Sequence, residues 1–104
     1  MNDCIFCKII AKEIPSKIVY EGPSAIGFHD INPKAKHHIL VVPRKHIESV
    51  MTMEEIDQEL MGHLIWDAKK IAEQLNLEGY QIRFHVGEKG GQEIFHVHLH
   101  LLAA

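Results

Sequence analysis

Residues 94–102 read Ile94-Phe95-His96-Val97-His98-Leu99-His100-Leu101-Leu102. Successive side chains of a strand point to opposite faces, so this alternation predicts a strand. His96, His98 and His100 then share one face, and Phe95, Val97 and Leu99 the other. Along one face of a strand, neighbouring side chains stand roughly 6–7 Å apart. One such histidine would be an ordinary surface residue, but three in register are a poor use of surface. Three chemistries suit them. They could share a catalytic zinc, act as nucleophile and proton donors at phosphorus, or form a patch titrating near about pH 6.5. The metal option ranks last, because no carboxylate lies within the strand to serve as ligand or base.

Immediately upstream, Gly87-Glu88-Lys89-Gly90-Gly91-Gln92 is a glycine-rich turn whose backbone N–H groups could face an anion. Hairpins use glycine in any case, so the turn gains weight only from its join to the histidines. Residues 80–86 supply a further strand. Residues 38–42 (HILVV) form another, stopping at Pro43. The surrounding stretch from Lys34 to His46 adds four Lys/Arg and three more histidines. Between these lies one long helix. Thr52 with Glu55 suggests a capping box. Ile56, Leu60, Leu64, Ile65, Ala68, Ile71, Ala72 and Leu75 then recur at spacings of three and four, and Asn76 suits the helix end. At the N-terminal side, residues 5–12 form a short amphipathic helix ended before Pro15. Residues 17–21 and 25–30 form a hairpin about Gly22-Pro23-Ser24. The expectation is an α+β fold: about five mostly antiparallel strands, a short N-terminal helix and a long central one.

With 104 residues, 46% of them hydrophobic, the chain suits one domain spanning 1–104. No apolar run is long enough for a membrane helix, and Asn2-Asp3-Cys4 does not open a secretory leader, which points to the cytoplasm. A net charge of -3 argues against a general binder of nucleic acid polymers. The charge is uneven: residues 1–52 carry seven Lys/Arg against five Asp/Glu, whereas residues 53–104 carry four against nine. Nine histidines are several times ordinary usage. Two cysteines, Cys4 and Cys7, admit three readings: small buried hydrophobes, a redox pair, or half a zinc site.

From Gly90-Gly91-Gln92-Glu93-Ile94-Phe95 through His96-Val97-His98-Leu99-His100, the chain resembles the histidine triad superfamily, and within it the bacterial type of the nucleotide-binding branch. Collinear matches reach back through Ile5-Phe6, Lys8-Ile9-Ile10, Glu13-Ile14-Pro15, Phe28 to Pro33, and His38 to Pro43 followed by His46. The resemblance implies a hydrolase that cleaves purine nucleoside phosphoramidates or related AMP and GMP conjugates. His98 would be the nucleophile, forming a nucleotidyl-histidine intermediate, with His100 and His38 flanking the phosphate and no metal required. A backbone carbonyl near the first triad histidine would hold the other ring nitrogen of His98. Asp30 would accept the ribose hydroxyls with Ile31 beside it, although a turn residue before Asn32-Pro33 is the plainer role for an aspartate there. Phe6, Ile9 and Phe28, with Ile5 and Ile14, would form a slot for the base. Gly91, Gln92 and Glu93 would line the phosphate. His85 stands where animal-type members have Asn, and Glu93 where they have Ser, a change shared by some bacterial members. Family members carry a tail beyond the position of Ala104 that shapes substrate choice.

The resemblance also implies a structural zinc held by Cys4, Cys7, His46 and His96, and a homodimer formed through the long helix and the sheet edge. His29 and His37 are expected at the surface or at strand ends, and His63 in a packed or interfacial position. Two other functions compete with phosphoramidate hydrolysis. One is a nucleotide-binding regulatory module with little turnover, which tight AMP binding without catalysis would reveal. The other is dinucleoside polyphosphate hydrolysis.

Overall fold

The β-branched run expected as a strand becomes the centre of the sheet. In the computed structural model, which describes residues 3–104, β3 (His37–Pro43) has all of its residues from His38 onward buried. Asn2, part of the stretch weighed against a leader, lies outside the described residues. Five strands pair antiparallel: β1 (Ile18–Glu21), β2 (Ala25–His29), β3, β4 (Gln81–Arg83) and β5 (Leu99–Ala103), in the spatial order β1-β2-β3-β5-β4. With the short helix α1 (Ile5–Ile10) and the long helix α2 (Gln58–Gln74), this is the expected α+β fold.

Register separates the two faces. Phe28 lies opposite Leu40, Leu40 opposite His100, and His100 opposite Arg83, so these four residues share one face. Gly27, Val41 and Leu99 align on the other. Helix α2 covers this second face, burying Leu64, Ala68 and Ile71 against Ala25, Ile39, Val41, Leu99 and Leu101. Each fully buried Leu or Ile contributes about 1.5–3 kcal/mol. Gly27 permits the approach, since a Cβ there would lie 2.6 Å from Cδ1 of Ile71. The first face is only partly covered. Phe6 and Ile9 of α1 pack on Ile26, Phe28, Leu40 and Val42, leaving the sheet beyond them open to a cavity.

The helix start departs from expectation. Thr52 does not cap α2; its Oγ1 accepts from the Ser49 N–H at 3.2 Å, closing a 3₁₀ turn over Val50–Thr52. A second 3₁₀ turn, Glu55–Asp57, follows, with the Glu54 N–H donating to Asp57 Oδ2 at 3.0 Å. Helix α2 therefore begins at Gln58, and Ile56, expected on its apolar stripe, is 80% exposed. Ile65 is also half exposed. The other end matches. Asn76 takes a left-handed φ of 56° while the Leu77 N–H reaches back to the Ala72 carbonyl at 3.0 Å.

Two expected strands are shorter than their alternation suggests. Residues 80–86 pair only over Gln81–Arg83, and the 94–102 strand forms only from Leu99. Pro43 explains the second case. Val41 is the last β3 residue paired with β5, opposite Leu99, and two residues on Pro43 has no N–H to extend the ladder. The chain from 94 to 98 instead hangs on other bonds: Val97 N–H donates to the Ile47 carbonyl at 2.7 Å. Alternation survives without the ladder, with Val97 in the core and Phe95 largely exposed.

Candidate active site

Each triad imidazole has a tautomer set by what its ring nitrogens touch. A carbonyl only accepts, so a ring nitrogen bonded to one must carry the proton. His98 Nδ1 lies 2.7 Å from the His96 carbonyl and donates to it, leaving Nε2 with the lone pair. His96 Nε2 donates to the Pro43 carbonyl at 2.8 Å, leaving Nδ1 as its acceptor atom. His38 Nδ1 accepts from the Lys34 N–H at 3.1 Å, so its Nε2 is the donor, 3.0 Å from His100 Nδ1. His100 must then carry its own proton on Nε2, which is buried and has no partner among the described residues.

Burial governs the charge of this group. It pushes His96 and His100 each down to about 4, with His46 and His98 adding to the effect on His96, and His98, His85 and His38 to that on His100. It lowers His98 and His38 too, with Asp30 partly opposing both shifts. At neutral pH the imidazoles are therefore uncharged donors and acceptors. His38, His85, His98 and His100 form a cluster of mutually tilted rings: centroids of His98 and His100 lie 4.8 Å apart, those of His85 and His100 4.6 Å apart, and those of His38 and His100 5.2 Å apart.

The cluster floors a cavity of about 350 Å³. Its apolar end is walled by Ile5, Phe6, Ile9, Ile14 and Phe28, and its polar end by Asp30, His38, His85, Gly91, Glu93, His98 and His100. Phe6 meets Phe28 and His98 edge-on at 5.5 and 5.0 Å between centroids. Asp30 takes the turn role expected for it and also reaches the histidines. Its Oδ1 accepts from the Asn32 N–H at 2.8 Å, as a turn residue does, while Oδ2 stands 3.4 Å from His38 Nε2. Ile31 borders the cavity but is 87% exposed, so it belongs to the rim.

Gln92 departs from expectation, since it is buried and absent from the cavity wall. Its Oε1 accepts from Gly87 N–H at 3.0 Å, and its Nε2 donates to the carbonyls of Glu48 at 2.7 Å and Ile94 at 3.0 Å. It shapes the loop that presents Gly91, where φ is 91° and glycine is at ease. His29 ends β2 and borders the cavity, His37 begins β3, and His63 is exposed on α2 rather than packed.

Sequence reasoning missed Lys34 and Arg83, both on the cavity wall. Arg83 was findable: Gln81, Arg83 and His85 alternate in the expected strand, and pairing sets Arg83 opposite His100. The closeness of Asp30, expected at the ribose, to the histidines was not legible in the sequence. Asp30 comes from the end of β2, and one ligand atom each of Asp30, His38 and His100 lie within 4.8 Å of one another.

A second cluster lies behind the first. One ligand atom from each of Cys4, Cys7, His46 and His96 fall within 4.8 Å of one another. His96 Nδ1 is 3.3 Å from Cys4 Sγ, 3.5 Å from Cys7 Sγ and 3.2 Å from His46 Nδ1, and Cys7 Sγ is 3.3 Å from His46 Nδ1. Tetrahedral zinc, with bonds of about 2.3 Å to sulfur and 2.0–2.1 Å to nitrogen, separates such atoms by about 3.3–3.6 Å. The donor set and its spacing fit. Burial raises Cys4, so in the bare cluster its thiol holds a proton that a metal would displace.

Comparison with known proteins agrees with this geometry. A family model described as scavenger mRNA decapping enzyme C-term binding (DcpS_C) matches residues 3–104. Protein HitA of Neisseria gonorrhoeae is 41% identical over 103 residues, 98% of this chain and 96% of its own length. A histidine triad protein from Clostridium difficile superposes with a TM-score of 0.96 at 40% identity, over 100% of this chain and 92% of that one. A HIT family hydrolase from Legionella pneumophila does so with a TM-score of 0.93 at 41% identity, over 98% and 93%. With the histidine cluster, the sheet order and these likenesses in agreement, the chain belongs to the histidine triad (HIT) family.

Proposed function

We propose that the protein hydrolyses purine nucleoside phosphoramidates or related AMP and GMP conjugates through a covalent nucleotidyl-His98 intermediate. One observation carries this reading: the His98 Nδ1–H is bound to the His96 carbonyl at 2.7 Å, which leaves an unprotonated Nε2 in a buried, uncharged imidazole on the cavity wall. Such a nitrogen is a nucleophile near neutral pH without an external base. In the first step Nε2 attacks the α-phosphorus, the phosphorus–nitrogen bond to the leaving amine breaks, and the amine departs carrying a proton from solvent. Water then displaces His98 and releases the nucleoside monophosphate.

The other residues take supporting parts. His100 Nε2–H, held in that tautomer by His38, donates to a non-bridging phosphate oxygen as charge gathers there. Lys34 and Arg83 add the positive charge that the neutral imidazoles do not. The apolar end, walled by Phe6, Ile9 and Phe28, takes the base, and the Asp30 carboxylate accepts from the ribose hydroxyls. Glu93 and Ile31 stand at the mouth, where the leaving group exits. No step passes through a metal. Cys4, Cys7, His46 and His96 would hold a zinc whose four protein ligands close its coordination, so its contribution is structural.

His98→Ala should lower amine release from an adenosine phosphoramidate by at least about 10³-fold while the melting temperature holds. Activity persisting in that variant refutes the assignment. We also propose that a second copy of the chain packs on α2 and the β4 edge, where Ile65, Trp66, Tyr80 and Ile82 are all partly or largely exposed. The same reading puts the protein in the cytoplasm, where the Cys4 and Cys7 thiols stay reduced.

A further inference from the structure

We infer that Cys4 and Cys7 are positioning residues for the nucleophile, acting through a zinc shared with His46 and His96. His96 joins the two clusters. Its ring offers Nδ1 to the thiols and to His46, and its backbone carbonyl fixes the His98 tautomer at 2.7 Å. The peptide carrying that carbonyl lies outside β5, which begins at Leu99, so no ladder holds it. What holds it is local: the His96 ring bond to Pro43, the Val97 N–H bond to Ile47, and the four-atom cluster. His46 sits one residue before Ile47, so a metal on His46 and His96 would clamp both chains of that bond.

Helix α1 depends on the same cluster. Six residues are too few for a helix to persist alone. Cys4 and Cys7 bracket Phe6, whose ring edge lies against both His96 and His98, at 5.9 and 5.0 Å between centroids. Anchoring the two thiols therefore sets one wall of the base slot as well as the carbonyl behind His98.

Only the ligand arm of the test rests on the nucleotide reading. The full-length chain is compared zinc-loaded and chelator-stripped under reducing conditions, beside a Cys4→Ser/Cys7→Ser variant. Long-range ¹H–¹⁵N spectra report the His98 tautomer, and calorimetry reports AMP affinity. The loaded protein should hold one zinc per chain and show His98 as a single Nδ1–H tautomer. Stripping should move its ring nitrogens toward a tautomer average and weaken AMP binding about 10-fold or more. Zinc should restore both in the natural chain but not in the double variant. If stripping unfolds the protein, zinc-loaded Cys7→His, which keeps four ligands, should recover the natural His98 signals where Cys7→Ser does not. The proposal is overturned if the chain binds no zinc, if His98 signals are the same loaded and stripped, or if Cys7→His and Cys7→Ser behave alike. His98 signals that follow zinc in a protein that binds no AMP would sink the nucleotide reading and leave this inference standing.

Discussion

His100 is a buried imidazole with a lone donor, and its protonation is coupled to folding. Burial, with its histidine neighbours, holds it down at about 4 from an ordinary 6.5. Between those values the unfolded chain binds more protons than the folded one, so stability falls as the pH drops from about 6.5 to about 4 and is level above. His38, lowered mainly by burial, acts in the same direction. Urea unfolding of His100→Asn should show a shallower loss between pH 7 and pH 5 than the natural chain; equal slopes would contradict the assignment. Half-buried Tyr20 and buried Asp67 form a pair at this scale, the Tyr20 hydroxyl donating to Asp67 Oδ1 at 2.9 Å. Tyr20→Phe strips a buried carboxylate of that donor and should cost about 1–3 kcal/mol in chemical denaturation. Neither Tyr20 nor Asp67 stood out in the sequence, because their link spans 47 positions and joins β1 to α2.

Among the elements, α2 and its seat on the sheet give a sharper test. Gly27→Ala would drive a methyl against Cδ1 of the fully buried Ile71 and should cost about 1–3 kcal/mol. Ile71→Val removes that atom, so the double variant should recover part of the loss; strict additivity would show that the two do not meet. At the far end, Asn76→Ala removes the short polar side chain that makes left-handed backbone tolerable for asparagine and should cost about 1 kcal/mol by thermal melting. The helix end was legible because Asn both stops the apolar periodicity and tolerates that conformation. The helix start was not, because the segment 49–57 makes two short turns from Ser49–Thr52 and Glu54–Asp57 bonds, and their spacing mimics a cap. Likewise the histidine alternation was legible while its ladder was not: a proline on a strand far away in sequence decides where pairing stops.

At the scale of the molecule, register is what assembles the site. Antiparallel pairing sets Leu40 beside His100 and His100 beside Arg83, the β2 end brings Asp30 to His38, and α1 closes the apolar end with Phe6. The histidines and cysteines were visible as residue types and spacings. The placing of Lys34, Arg83 and Asp30 among them required the sheet order. The proposed packing of a second copy on α2 predicts that Ile65→Asp/Trp66→Asp gives a lower sedimenting mass than the natural chain; an unchanged mass would contradict that packing. The central claim is covalent catalysis by His98. Its most direct measurement is rapid acid-free quenching of the protein with an adenosine phosphoramidate, followed by peptide mass spectrometry. The account predicts a transient AMP adduct on His98, absent in His98→Ala. Steady turnover with no adduct, or an adduct on another residue, would contradict it.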